Sequence, residues 1–279
     1  MSSPTSRSVR PVRWTVLAPA LLALHASVAV AQQPDSSAGP LVSRRALGTF
    51  AGFVAAGAAL YPLDRRLERA FRAPGVQRSL AARDAAAGFN LVGDPGVIAA
   101  GVVMLGTGWV ARRPSLARAG LHATEAIVLG GSATALLKIA AGRQRPLLEP
   151  GDHDDFALGR GRSEGRASFP SGHTTAAFAF ASAVSADVRA SQWRRSHPRA
   201  AAATGAALFG GAALVGAARM FDDKHWASDV AVGAGVGTLA GDVVSAYARA
   251  HPRSRLERLV GRVAVVPSAR GLALGVATR

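Results

Sequence analysis

Residues 170–189 read PSGHTTAAFAFASAVSADVR. Ser171 stands where a helix N-cap belongs, and the residues after it stay uncharged apart from His173 until Asp187, so the stretch predicts a helix from Ser171 to about Arg189. Its small apolar interior is typical of the whole chain. Hydrophobic residues make up 49% and charged residues 18%, yet aromatics are only 6%, so the apolar content is mostly Ala, Val, Leu and Gly. Such a composition favours helices packed closely through small residues. At 279 residues, with no linker-like stretch in its interior, the chain reads as one domain.

Working outward, a first helix is expected after Ser43-Arg44-Arg45, with residues 46–63 uncharged. Asp64 to Phe71 is amphipathic and Arg-rich and is expected on a surface. Asp94-Pro95 reads as an N-cap with Pro at the first helical position, opening an uncharged run to Ala111. Further helices are expected over about Leu116–Ala141, Ala200–Ala218 and Lys224–Ala250, with a loop at 146–169 rich in Gly, Asp and Arg. The expected fold is all-α, a bundle of about six main helices with the active site at one end, over residues 46–250. In the tail, 251–279, two short apolar runs around Pro267 to Gly271 suggest a small β-hairpin.

The N-terminus carries Arg7, Arg10 and Arg13 ahead of an apolar run from Trp14 to Val30, and Ala29-Val30-Ala31 resembles a cleavage site. A signal peptide over 1–31 and a flexible leader over 32–45 are expected, hence export. The chain has no Cys, which excludes disulfides, thiolate metal sites and a Cys nucleophile. Formal net charge is +16, but the basic residues sit between apolar runs and no aromatic-studded basic strand or recognition helix is visible. The charge is therefore expected to face anionic lipid, and no nucleic-acid partner is expected.

Polar chemistry concentrates in three places: Lys138 with Arg145-Pro146, the Pro170-Ser171-Gly172-His173 turn, and Arg219 with His225 and Asp229. A phosphoryl group in transit spreads charge over three oxygens, so it calls for several fixed donors. Lys138, Arg145 and Arg219 supply cations, arginine in planar bidentate form and lysine as a point charge. Ser171 and Gly172 open a helix, where backbone N–H groups and the dipole favour an anion, and Gly172 admits close approach. His173 beside that anion can protonate a leaving oxygen. His225 and Asp229, four apart, are expected on one helix face, with the carboxylate orienting the ring as a nucleophile. These residues support attack of His225 on phosphorus, with His173 as acid and then base, and no metal or cofactor is expected because the cations already neutralise the phosphate. His153-Asp154-Asp155 reads as a solvated loop rather than a metal cluster, Asp222 and Asp223 as first-turn charges of the last helix, His122 and Glu125 as a helix-internal pair, and Trp226 as packing beneath the site.

In this order and spacing the three segments resemble the signature of the type 2 phosphatidic acid phosphatase family, whose superfamily includes bacterial acid phosphatases, lipid phosphate phosphatases and vanadium haloperoxidases. The resemblance covers about residues 118–250. It implies a helical bundle, a phosphohistidine at His225 and acid/base work at His173. The third motif departs at Ala218, where the family usually has Ser before the arginine. The implied activity is phosphoric ester hydrolysis on a phosphomonoester or pyrophosphate, plausibly a phosphorylated lipid. The alternatives are a vanadate-dependent haloperoxidase and a non-catalytic phosphate-binding membrane protein.

Connectors away from the motifs are basic, with Arg112, Arg113 and Arg118, then Arg189, Arg194, Arg195 and Arg199, then Arg249, Arg253, Arg255 and Arg258 after the last helix, whereas residues 142–170 balance five Arg against five acidic residues. That asymmetry favours a bacterial inner-membrane protein among membrane lipids with its active site facing the periplasm. A soluble periplasmic bundle is the alternative, because the uncharged runs are rich in Ala and Gly. Residues 46–63 either cross with the rest or lie on the surface if the signal peptide is removed.

Overall fold

A computed structural model describes residues 40–252, 254, 263–268 and 271–276. The expected signal peptide and most of the leader lie outside the described residues. Ser43 accepts a hydrogen bond from the Ala46 N–H at 3.1 Å and starts helix α1, Arg44–Leu60. A short turn, Tyr61–Leu63, leads into α2, Asp64–Phe71. There follow α3, Leu80–Leu91; α4, Val97–Val110; α5, Pro114–Ala141; α6, Gly172–Ala190; α7, Pro198–Phe221; and α8, Ala227–Ala250. The architecture is the all-α bundle read from the sequence. In the tail, β1, Val263–Ser268, pairs antiparallel with β2, Gly271–Val276, so the expected hairpin is present.

Helix α6 forms the axis, with α5, α7 and α8 packed around it. The chain's small residues make this possible. A Cβ on Gly233 would lie 2.6 Å from the carbonyl oxygen of Ser171, one on Gly237 would overlap that of Thr175, and one on Gly241 would crowd Ser182. These glycines recur every fourth residue along α8, so one stripe of that helix meets α6 backbone to backbone. Phe178 fills the space left over, with its ring 5.9 Å from Phe53 of α1 and 5.9 Å from Phe209 of α7. Helix α1 lies antiparallel along α8, Gly57 beside Val232 and Phe53 beside Gly235. Residues 46–63 therefore run the length of the bundle rather than across its surface.

Among the described residues, five helical stretches are long and apolar enough to cross a membrane: Arg44–Phe71, Leu80–Val110, Pro114–Ala141, Pro198–Phe221 and Ala227–Ala250. Leu91, Val102, Val103, Leu136 and Leu214 face outward from these helices, as lipid contact requires.

Four local expectations need correcting. Asp94-Pro95 does not begin a helix. It lies in a π turn, Val92–Gly96, joining α3 to α4 in one stretch, and the wider turn accommodates a proline that has no N–H to give. The segment Asp64–Phe71 does not lie wholly on a surface, because Asp64 and Glu68 are buried while Arg65, Arg66 and Arg69 are exposed. Helix α8 starts at Ala227, so His225 precedes it. Asp222 caps α7 instead of opening α8 and accepts from Asn90 at 2.6 Å, and Asp223 accepts from Arg72 at 3.0 Å.

Candidate active site

The site lies where α5 and α7 end and α6 and α8 begin. Gly142, at φ 57°, ends α5 in the left-handed conformation that glycine adopts without strain, and its N–H bonds the Lys138 carbonyl at 3.0 Å. The chain then turns inward at Arg143, which is 1% exposed. All five of its N–H groups are used. Nη1 donates to Asp229 Oδ1 and to Ser228 Oγ, each at 2.7 Å; Nη2 donates to Asp64 Oδ2 and to the His153 carbonyl, each at 2.8 Å; Nε donates to that same carbonyl at 3.1 Å. The rings of Tyr61, Phe156 and Trp226 stand 5.1, 5.1 and 5.4 Å from the guanidinium carbon. This cation is fully committed to the protein and has no donor left for a substrate.

Asp229, 0% exposed, takes Arg143 on Oδ1 and takes the Ser168 hydroxyl at 2.6 Å and the Trp226 N–H at 2.9 Å on Oδ2. Its distance to His225 Nδ1 is 3.7 Å, too long for a hydrogen bond. The expected direct contact between carboxylate and imidazole is thus replaced by a relay, because Ser168 stands between them. His225 Nδ1 lies 2.7 Å from the Ser168 carbonyl. A carbonyl can only accept, so the ring proton sits on Nδ1 and the lone pair on Nε2. Burial pushes His225 down to about 3, against the pull of the Asp229 carboxylate, which keeps the ring neutral at physiological pH.

The three cations named from the sequence meet around His173. Burial first, then the charges of Arg219, Arg145 and Lys138, hold His173 at about 4. Lys138 Nζ donates to the Ala167 carbonyl, and its Cε lies 3.8 Å from where a Gly172 Cβ would be. Arg145 Nε donates to the Glu164 carbonyl at 2.8 Å, and burial lowers that guanidinium from its usual range while Glu164 and Asp229 oppose the shift. Arg219 Nη1 donates to Asn90 Oδ1 at 2.9 Å, and its buried Nε has no partner. An orphaned guanidinium N–H is costly unless an acceptor arrives.

Helix α6 starts at Gly172 as expected, but Ser171 does not cap it with its side chain. The Ser171 N–H bonds the Asp229 carbonyl at 3.1 Å, and its hydroxyl accepts from Thr174 at 2.9 Å. Ser171 therefore ties the second motif to the third, and the open N–H groups of the first turn belong to Gly172 and His173. A Cβ on Gly93 would come within 3.1 Å of His173 Cδ2, so the π turn supplies the bare backbone against which that ring sits.

Several participants escaped the sequence reading: Arg143, Asp64, Ser168, Asn90 and Gly93. Arg143 was overlooked because Arg145 two residues on carried the motif. The one signal for Asp64 was a carboxylate at the end of an uncharged helix. The loop His153-Asp154-Asp155 is solvated only in part, with Asp154 exposed and the other two residues drawn toward the protein. His153 is buried beside Tyr61 and Trp226, Asp154 accepts from the Tyr61 hydroxyl at 2.5 Å, and Asp155 pairs with Arg166 at 2.8 Å. Among the described residues no group of three or more His, Cys, Asp or Glu is arranged to hold a metal ion. Trp226 does pack beneath the site, 1% exposed, with Nε1 donating to the Gln144 carbonyl at 2.9 Å.

Residues 119–253 match the family model for the PAP2 superfamily, which bears out the resemblance read from the three motifs. A solved structure, described as the first transmembrane PAP2 type phosphatidylglycerolphosphate phosphatase from Bacillus subtilis, is similar in fold. It matches with a TM-score of 0.57 and 20% identity, covering 76% of this chain and 100% of that one. No match was found among curated proteins. The five apolar helical stretches and this transmembrane neighbour support a membrane protein.

Replacing Arg143 by Met keeps much of its volume and leaves two buried carboxylates without their cation. The expected cost is about 3–5 kcal/mol, read as a lower Tm in detergent. A Tm equal to that of the unsubstituted protein would contradict the role given to this guanidinium.

Proposed function

We propose that the chain, whose residues 119–253 match the PAP2 superfamily model, is a membrane-embedded phosphatase that hydrolyses a phosphomonoester or pyrophosphate, with a phosphorylated lipid as its substrate. The observation that carries this reading is the pairing of a neutral His225, its Nδ1 proton held by Ser168, with the cations Lys138, Arg145 and Arg219 around His173.

In the proposed reaction the Nε2 lone pair of His225 attacks phosphorus, and the bond from phosphorus to the leaving oxygen breaks. His173 gives its proton to that oxygen. His173 then removes a proton from water, the water oxygen attacks phosphorus, and the P–N bond breaks to release phosphate and neutral His225. The three cations and the N–H groups of Gly172 and His173 hold the oxygens throughout. Asp229 acts through Ser168 by fixing the carbonyl that holds the ring proton. Without a bound anion, burial and then the surrounding cations keep His173 unprotonated. A bound phosphate dianion reverses that field, so proton uptake accompanies substrate binding.

A lipid substrate is supported by the loop between α5 and α6, which exposes Leu147, Leu148, Phe156 and Leu158 beside the cage. Apolar side chains there give acyl chains a surface next to the point where the headgroup enters. The activity test is His225→Ala, whose hydrolysis of phosphatidic acid or p-nitrophenyl phosphate is expected to fall below about a thousandth of the unsubstituted rate. Full activity in that variant would end the mechanism.

The distribution of charge supports a periplasm-facing site. The basic connectors, with Arg112, Arg113, Arg194, Arg195 and Arg199, lie at the bundle end opposite the cage. Because α1 runs antiparallel to α8, Arg44 sits on that same side. The chain has no Cys, so single cysteines report cleanly. In intact cells a membrane-impermeant maleimide is expected to label Leu158→Cys and to spare Arg195→Cys. The reverse pattern would overturn the orientation.

A further inference from the structure

Helices α5, α6 and α8 each carry candidate site residues at one end and a second set of polar side chains at the other. Arg118 and His122 stand near the start of α5, Asp187 near the end of α6, and Ser245 and Arg249 near the end of α8. Together with Ser191 they line a cavity of about 380 Å³. His122 precedes Lys138 by roughly 24 Å of helix at about 1.5 Å per residue, so the cavity is at the far end of the bundle from the phosphate cage.

Its floor is built rather than incidental. His122 is buried, and its Nδ1 lies 2.9 and 3.1 Å from the two carboxylate oxygens of Asp187. That contact engages the carboxylate of Asp187, the one carboxylate among the described residues of the lining. Ser245 is 3% exposed, and its hydroxyl has no hydrogen-bond partner. A helical serine ordinarily bonds back to a carbonyl one turn earlier, so a buried serine that does not is a donor awaiting an acceptor. Arg118 and Arg249 are exposed at the mouth. The lining thus combines two guanidiniums, a hydroxyl without a partner and a carboxylate already occupied, which fits an oxyanion with more than one free oxygen.

We propose that this cavity is a second anion site, separate from the hydrolytic cage, that binds a phosphate group: Arg118 and Arg249 hold its oxygens, and Ser245 donates from below. Two sources share that chemistry, the headgroup of an anionic membrane lipid and free phosphate. The position favours the lipid, because the cavity opens among the basic connectors at the end of the apolar helices, at the level where headgroups lie.

The full chain, purified in detergent, tests the proposal by native mass spectrometry after exposure to dioleoylphosphatidylglycerol or dioleoylphosphatidylcholine. The expected result is that the unsubstituted protein retains one more phosphatidylglycerol than Arg118→Gln/Arg249→Gln. Affinity in that double variant falls at least about tenfold, the equivalent of losing one well-placed contact. Phosphatidylcholine is not retained at this position, and hydrolysis of p-nitrophenyl phosphate is unchanged because neither arginine belongs to the cage. Ser245→Ala, which fits the same space, weakens phosphatidylglycerol retention while the Tm without lipid stays at or above that of the unsubstituted protein. If millimolar inorganic phosphate instead raises the Tm of the unsubstituted protein and not of the double variant, with no difference in lipid retention, the site is one for free phosphate. Equal lipid retention together with equal response to phosphate in both proteins overturns the proposal.

Discussion

The buried guanidinium of Arg143 is the contact on which the functional end of the bundle depends. It joins Asp64 on α2, Ser228 and Asp229 on α8, and the His153 carbonyl of the connecting loop, with three aromatic rings around it. In a site closed to water, a carboxylate is tolerated only when matched by charge and hydrogen bonds. One cation faces two carboxylates here, and the balance is made up by neutral donors. Asp64 takes the Ser228 N–H and hydroxyl at 2.9 and 2.5 Å, and Asp229 takes the Ser168 hydroxyl and the Trp226 N–H. The order then passes from Asp229 to Ser168, and from the Ser168 carbonyl to the ring of His225.

This arrangement separates two kinds of cation that look alike in the sequence. Arg143 is enclosed and saturated, and it organises. Lys138, Arg145 and Arg219 surround His173, and Arg219 retains an unpartnered N–H. Crowding three cations around an imidazole is unfavourable, and a bound anion would relieve that field. The glycine stripe of α8 is what allows this crowding. Only where α6 and α8 approach backbone to backbone can Ser171 bond the Asp229 carbonyl and bring the second and third motifs together.

Most helices and their approximate ends were legible in the sequence because they rest on local rules, uncharged runs and caps, though α3, Leu80–Leu91, was not among them; the nearness of Lys138, Arg145 and Arg219 to His173 was expected from a spacing shared with a known family. What was not legible depends on contacts between distant segments. Arg143 and Arg145 lie two residues apart in one loop, and it is the approach of Asp64, 79 residues earlier, that encloses Arg143. The i, i+4 spacing of His225 and Asp229 suggested a direct contact, but α8 begins at Ala227, so the ring is turned toward the Ser168 carbonyl. Asp94-Pro95 has the local form of a helix start, and the π turn that overrides it carries Gly93, whose missing side chain leaves room for His173.

The account stands on His225 as the atom that takes the phosphoryl group, and trapping that intermediate tests it most directly. Protein turning over a ³²P-labelled phosphatidic acid is quenched in alkaline detergent, digested and mapped. The account predicts a label that survives alkali, is lost in acid and resides on the peptide containing His225. Label on another residue, or turnover at the full rate with no covalent label at any quench time, would contradict it.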